Sequence, residues 1–178
     1  NDGWTPLNSA ARYGRAECVK ALLTADGIEV NVKQDGWMPL NSAARYGHAE
    51  CVKALLTADG IEVNVKQDSW TPLNSAAREG HAECVRELLQ AQNIKVNKRS
   101  PYGLKTPLML AIKYEHEECA KLLIQHMRTD INKVGLSLDT ALTKARKKEL
   151  TEIINLLEND SRLNPHLHRI MTALRFDR

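Results

Sequence analysis

Cysteine and histidine are the side chains of this chain best suited to holding a metal, closing a disulfide or moving a proton, and there are 4 of the first and 6 of the second. Their spacing argues against all three. Cys18, Cys51, Cys84 and Cys119 each fall at the same place in a recurring segment. In a linear stack such equivalent positions lie on the order of 10 Å apart. A disulfide needs its Cα atoms within about 7 Å, and zinc needs all its ligands around one point. The cysteines therefore read as small buried hydrophobes, and unpaired thiols favour a reducing, intracellular compartment. His48 and His81 follow Gly47 and Gly80, but Arg15 stands there in the first copy, which argues against a repeated catalytic need. His166 and His168 are two residues apart and so point to different faces of a helix. Ser9, Ser42 and Ser75 read as small packing residues within helices, and the chain carries no nucleophile elbow, Walker loop, dinucleotide turn or H-E-x-x-H motif. The expectation is a chain with no catalytic residue, no metal ligand and no cofactor.

What positions these residues is a repeat. Asp2–Gln34 reads DGWTPLNSAARYGRAECVKALLTADGIEVNVKQ, and Asp35–Gln67 copies it with two changes, Thr5 to Met38 and Arg15 to His48. Asp68–Ser100 is a third, more diverged copy. A fourth follows after a two-residue insertion, at Thr106-Pro107-Leu108, and a weak fifth centres on Thr140-Ala141-Leu142. Within a copy, Thr5 can cap a helix that starts at Pro6, where proline's missing N–H costs nothing. Gly14 separates that helix from a second one, whose apolar face is Val19, Leu22 and Leu23. Gly27 is expected to end the second helix, with Ile28–Val32 and the next Asp-Gly forming an extended turn. One such unit cannot bury its apolar face alone, whereas a stack can. At the far end, Asn164-Pro165 starts a helix with Leu167, Ile170, Met171 and Leu174 on one face. It reads as a cap on the last repeat or as the first helix of a following domain.

The motif G-W-T-P-L-x-x-A-A, then G-H-A-E-C-V-x-x-L-L, then V-N, at a 33-residue period, resembles the ankyrin repeat over roughly residues 1–158. The resemblance implies an all-α solenoid of helix-turn-helix units with short β-hairpin fingers. On this reading residues 1–160 form the array, with repeats at about 2–34, 35–67, 68–100, 101–133 and 134–160, and residues 161–178 form a C-terminal capping helix. The chain departs from the family after T-P-L, where His is usual and Asn8, Asn41, Asn74 and Met109 stand. Asn can replace part of that hydrogen bonding and Met109 cannot. Asn31, Asn64, Asn97 and Asn132, in the V-N or I-N position, are expected to bond turn backbone.

The resemblance also implies where a partner would sit. Trp4, Trp37 and Trp70 belong to the fingers beside the concave face. Arg12-Tyr13, Arg45-Tyr46, Arg78-Glu79 and Lys113-Tyr114 end the first helices and would line the same side. Trp, Tyr and Arg dominate interface hot spots, so this set is the candidate protein-binding surface. The rival reading is that the tryptophans only cover the Thr-Pro turn, repeated by duplication.

Composition narrows the class. A hydrophobic content of 43% with 26% charged residues excludes a disordered chain, and 4% aromatics requires an aliphatic core. The net charge of +3, all of it from residues after 100, is too weak to argue for nucleic acid. The basic run Thr143–Lys148 reads as a solvated helix face or as a contact for acidic groups or phosphates. No apolar run reaches the roughly 20 residues that span a bilayer. The expected function is a non-enzymatic protein-binding module. The alternative is the recognition or regulatory segment of a larger enzyme or secreted effector, because ankyrin arrays of intracellular bacteria often accompany catalytic domains. Near-identity of the first two copies suits that setting and equally suits an engineered protein. A third reading is stacking of copies through the first repeat, whose open side matches an internal copy and carries no polar cap.

Overall fold

The computed structural model describes residues 5–32, 37–66, 70–101 and 103–166. Ten helices occur among them, in five pairs: α1 (Pro6–Arg12) with α2 (Ala16–Leu23), α3 (Pro39–Tyr46) with α4 (Ala49–Leu56), α5 (Pro72–Glu79) with α6 (Ala82–Gln90), α7 (Pro107–Lys113) with α8 (Glu117–Gln125), and α9 (Ala141–Lys147) with α10 (Thr151–Glu158). First helices pack on first helices along the order α1-α3-α5-α7-α9, and second helices on second helices along α2-α4-α6-α8-α10. The result is an all-α solenoid two helices deep. Its β pairing among the described residues is confined to single-residue bridges at Trp37 and Trp70. Residues 33–36 and 67–69, which hold most of the expected finger turns, lie outside the described residues, as does 167–178, most of the expected capping helix.

The first helices start where the Thr-Pro signal places them. The hydroxyls of Thr5, Thr71, Thr106 and Thr140 accept the backbone N–H three residues on, satisfying one of the donors a helix start leaves open. Met38 offers no such acceptor. Between the layers lies an aliphatic core. Leu7, Leu40, Leu73, Leu108 and Leu142 are buried in the first helices, and Val19, Val52 and Val85 with Leu55, Leu88, Leu123 and Leu157 in the second. Each buried leucine contributes roughly 1.5–3 kcal/mol relative to an exposed one. Gly27 does not end α2. That helix stops at Leu23, the Thr24 hydroxyl donates to the Ala21 carbonyl at 2.8 Å, and Gly27 turns the chain beyond it at φ +71°.

Two ladders join one repeat to the next. In the first, Nε2–H of His48, His81 and His116 donates to the carbonyls of Arg12, Arg45 and Arg78, at 3.0, 3.0 and 2.9 Å. Each ring lies against a glycine of the preceding repeat. A Cβ added at Gly14, Gly47 or Gly80 would stand 2.5–2.6 Å from the Nδ1 of His48, His81 or His116. Glycine is therefore needed there twice over, for its positive φ of 68–84° and for the space the imidazole takes. The fourth and fifth repeats carry Glu115 and Glu149 in the glycine's place, at φ 62° and 57°. The residue that follows Glu149 is Leu150, not histidine, so no ring claims the space of the Glu115 side chain.

The second ladder runs along the turns after the second helices. Asn31 Nδ2 donates to the Gly60 carbonyl at 2.8 Å and its Oδ1 accepts from the Glu62 N–H at 3.0 Å. Asn64 does the same with Asn93 and Lys95, Asn97 with Arg128 and Asp130, and Asn132 with Arg162 and Asn164. The asparagines do bond turn backbone, and the turn is that of the next repeat. At the end of this ladder the Arg162 guanidinium donates to the carbonyls of Ile124, His126, Met127 and Thr129 and to Asp160. Its hydrogen bonds to the Asp160 carboxyl, more than its charge, hold that group below the usual carboxylate range.

The cysteines divide by position in the stack. Cys51, Cys84 and Cys119 are buried, and burial pushes the thiols of Cys84 and Cys119 up to about 12 and about 11. Cys18 is exposed, contrary to its reading as a buried hydrophobe, because among the described residues nothing packs on that side of α2. It lines an open hollow with Pro6, Ala10, Tyr13, Ala21 and Leu22.

Two outcomes follow for this chain. Iodoacetamide under native conditions should label Cys18 and spare the other three thiols, as read by peptide mass spectrometry; even labelling of all four would mean the stack opens readily. In urea melts, Gly47→Ala should destabilise more than Gly60→Ala. Both sites have positive φ, but a Cβ at Gly60 meets nothing within 4 Å. The excess should be about 1–3 kcal/mol, as for an overpacked core, and should shrink when His81→Leu is added to Gly47→Ala.

Candidate functional site

The last turn of each first helix carries a cation: Arg12, Arg45, Arg78, Lys113 and Lys147. All five stand seven residues after the cap position, so the stack places them in one row. A cation there complements the negative end of the helix dipole. Just beyond each stands Tyr13, Tyr46, Glu79, Tyr114 or Lys148. The bridge residues Trp37 and Trp70 lie alongside.

Arginines and rings interleave along this row. The Arg12 guanidinium lies 5.8 Å from the Trp37 ring centre and 5.4 Å from that of Tyr46. Arg45 approaches Trp37 at 5.0 Å, and Trp37 stacks on Tyr46 with centroids 6.3 Å apart. One repeat pair further, Arg78 lies 5.0 Å from Trp70 and 5.9 Å from Tyr114, and the Lys113 ammonium 4.7 Å from Tyr114. Such contacts are worth about 0.5–1 kcal/mol each when exposed, so the row is held in place without being buried. Arg45, Tyr46, Lys113 and Tyr114 are exposed, and Trp37 and Trp70 are half-buried. The tryptophans thus contact the helix-end arginines, in addition to lying beside the Thr-Pro turn.

Several of the candidate residues sit apart from this core. Tyr13 is two-thirds exposed at the first repeat and faces the hollow around Cys18. Glu79 pairs with Arg78 at 3.6 Å and so tempers its charge. Trp4 lies outside the described residues.

Between the third and fourth repeats the row deepens into a cleft of about 360 Å³, lined by Trp70, Arg78, Lys105, Leu110, Lys113 and Tyr114 with Gly103. Three of these are cations, and among the described residues no carboxylate lines it. Burial and the nearby Lys144 and Lys113 push the Lys105 ammonium below its usual range. Lys113 donates to the Tyr114 hydroxyl at 3.3 Å and holds that phenol below its ordinary value. Lys144, from the basic run, is not on a solvated face: it is about nine-tenths buried and ion-paired with Asp139. Lys105 and His116 belong to none of the motifs read from the sequence, and Lys147 only to the basic run Thr143–Lys148. Their signal was register, since His116 and Lys147 fall at repeat-equivalent positions once the insertion before Thr106 is counted.

The opposite layer is charged differently. The second helices carry eight glutamates against four cations, Lys20, Lys53, Arg86 and Lys121, so this layer is net acidic even with Lys20 paired to Glu17 at 2.7 Å, Arg86 to Glu83 at 3.3 Å and Lys121 to Glu152 at 2.8 Å. The first helices contribute only one acidic residue, Glu79.

Asn8, Asn41 and Asn74 fasten the site to the turns. Their Nδ2 groups donate to the carbonyls of Val32, Trp70 and Lys98, at 3.2, 3.0 and 3.1 Å. Asn41 therefore fixes the backbone that carries Trp70. Met109, at the same place in the fourth repeat, is buried and packs its sulfur 3.7 Å from where a Cβ on Gly135 would stand.

No group of three or more His, Cys, Asp or Glu converges on one point among the described residues. No helix among them is long and apolar enough to cross a membrane. A search of curated proteins finds no match to the chain. Family models do match: the ankyrin-repeats model over residues 32–100, 64–134 and 94–167, and the ankyrin-repeat model over residues 2–34. Together with the paired-helix stack, they show that this chain belongs to the ankyrin-repeat family, whose arrays are generally protein–protein interaction modules.

Proposed function

We infer that this chain binds a partner protein through the ends of its first helices and the adjoining finger residues Trp37 and Trp70. The observation that carries the reading is the interleaved run Arg12–Trp37–Arg45–Tyr46 and Arg78–Trp70–Tyr114, half-buried to exposed along its length. Its aromatic bodies and guanidinium groups are pre-positioned by neighbours on their own scaffold, which lowers the entropy lost when a partner is bound. Trp, Tyr and Arg in such a cluster are the residue types that carry most binding energy at interfaces.

The test is the combined variant Trp37→Ala, Tyr46→Ala, Trp70→Ala, compared with the parent chain as bait in a lysate of its native host, with quantitative mass spectrometry. Proteins captured by the parent should fall by about tenfold or more on the variant, while its helical circular dichroism is retained. A variant that unfolds would make these side chains core. A variant that captures the same set would move the binding surface elsewhere.

One observation favours a second use of the fold. The hollow formed by Pro6, Ala10, Tyr13, Cys18 and Leu22 is open and mostly apolar. The same side of α4 is covered by the preceding repeat. Two chains meeting through this face would bury it, and light scattering over a concentration series should then show mass rising above 20.0 kDa. A constant mass at that value would dismiss self-association.

A further inference from the structure

We propose that two copies of this chain pair about a two-fold axis through the hollow on the first repeat, with Tyr13 of each copy seated in the hollow of the other. This rests on the self-association reading above and adds its symmetry, its contacts and its stoichiometry.

The face is a core surface left open. Helices α2 and α4 share the sequence AECVKALL. Cys51, Ala54 and Leu55 are buried beneath the first repeat, whereas Cys18 and Ala21 are exposed and Leu22 is half-buried. Position in the stack alone makes that difference. Small residues, Ser9, Ala10, Cys18 and Ala21, line an open hollow of about 660 Å³, and Tyr13 stands beside them. Tyr13 is 67% exposed, against 39% for Tyr46. A bulky ring next to a depression lined by small side chains is self-complementary. A two-fold axis sets each ring against the other copy's depression, so that each contact is made twice.

Two rival occupants fit less well. One is a further repeat stacked in the array's own register. Inner repeats hold their predecessor through an imidazole, His48 on the Arg12 carbonyl and His81 on the Arg45 carbonyl. The first repeat has Arg15 at that place, and Arg15 lines the hollow. The other rival is the far end of a second copy, which would string chains into a filament. That end differs in character. The exposed residues of α9 and α10 are Arg146, Lys147, Thr151, Glu152, Asn155 and Glu158, all polar. Beyond α10, Leu163 lies against the core. Of the two end repeats, as described, only the first offers an apolar face, so like meets like and the assembly closes at two.

The pair is a weak one. Helices α1 and α2 have 7 and 8 residues, which makes each about 10–12 Å long. Their face is small beside the roughly 800 Å² that each partner gives to a stable complex, so half-association falls at about 10 µM to 1 mM. Among the described residues Arg15 is the one charge lining the hollow. Apolar burial drives the contact, and it withstands raised salt.

The experiment follows the whole chain by light scattering over that concentration range, with iodoacetamide labelling of Cys18 as a second readout. Mass should rise from 20.0 kDa to twice that value and stop. Cys18 should label fast when the chain is dilute and slowly when it is concentrated. Tyr13→Ser and, separately, Ala21→Arg should each weaken pairing by about tenfold or more with helical circular dichroism retained. Both positions are exposed, so neither change opens the core, and either variant serves if the other loses its helical signal. Asn155→Arg at the far end, and molar salt, should leave pairing unchanged. A constant mass would overturn the proposal and the self-association reading together. Mass climbing past two copies, or loss of association in Asn155→Arg, would leave self-association standing and overturn the closed pair. A dimer untouched by Tyr13→Ser and Ala21→Arg would lie on another face and overturn both readings of this one. A dimer that dissolves in molar salt would mean that the basic first helices of one copy meet the acidic second helices of the other, and would overturn the proposal. So would a Cys18 that resists iodoacetamide in the dilute chain, since the face would then be covered from within.

Discussion

The structure depends on the contact between an imidazole and the end of the preceding helix. A histidine at the start of one second helix donates its Nε2–H to the last carbonyls of the preceding first helix. Those carbonyls have no partner within their own helix, so the bond satisfies an acceptor and joins two repeats in one step. The ring needs a flat, Cβ-free neighbour, which fixes glycine one repeat earlier. The same contact holds Arg12, Arg45 and Arg78 by their own carbonyls. The row of cations is thus positioned by the bonds that make the stack cohere.

Because each repeat touches only its neighbours, stability is close to a sum of local terms and nearest-neighbour couplings. The His–carbonyl bond, the Asn ladder and the leucine layers are three such couplings, on three different sides of the unit. The fourth junction keeps the Asn ladder and the leucine layers but replaces the His–carbonyl bond: Lys148 reaches Glu115, and Arg162 gathers the open carbonyls around the end of α8. Regularity in the first three repeats and improvisation in the last two reach the same end by different chemistry.

Much of this was legible in the sequence, because its signals are local. Thr-Pro marks a helix start through capping and a fixed φ, and the Val/Leu pattern marks the buried stripe. The V-N asparagines were legible as backbone partners, but not that the backbone belongs to the next repeat, since the pattern within one unit carries no information about its neighbour's approach. Cys18 was misread for the same reason: its sequence context matches that of Cys51, and only its place in the stack differs. Gly27 looked like a helix end, yet the Thr24 hydroxyl closes α2 sooner. The insertion before Thr106 hid the register of Lys147 and His116, and with it the continuity of the row. Lys105 was not legible at all, because it enters the cleft from a loop that follows no repeat rule.

Near-identical copies create a problem of counting. As α3 and α5 present almost the same surface, a folding chain has more than one neighbour of the right shape for each histidine. Sterically, His81 suits the notch at Gly14 as well as the one at Gly47, so a skipped repeat would cost little at that contact. Glu115 removes the ambiguity at one end. It carries a Cβ where glycine stands elsewhere, in the place an imidazole would need, and the next repeat has Leu150 in the histidine's position. The irregular repeats thereby act as an address: they give the array one end that cannot be mistaken for its middle, and the order of the interchangeable units is read from it.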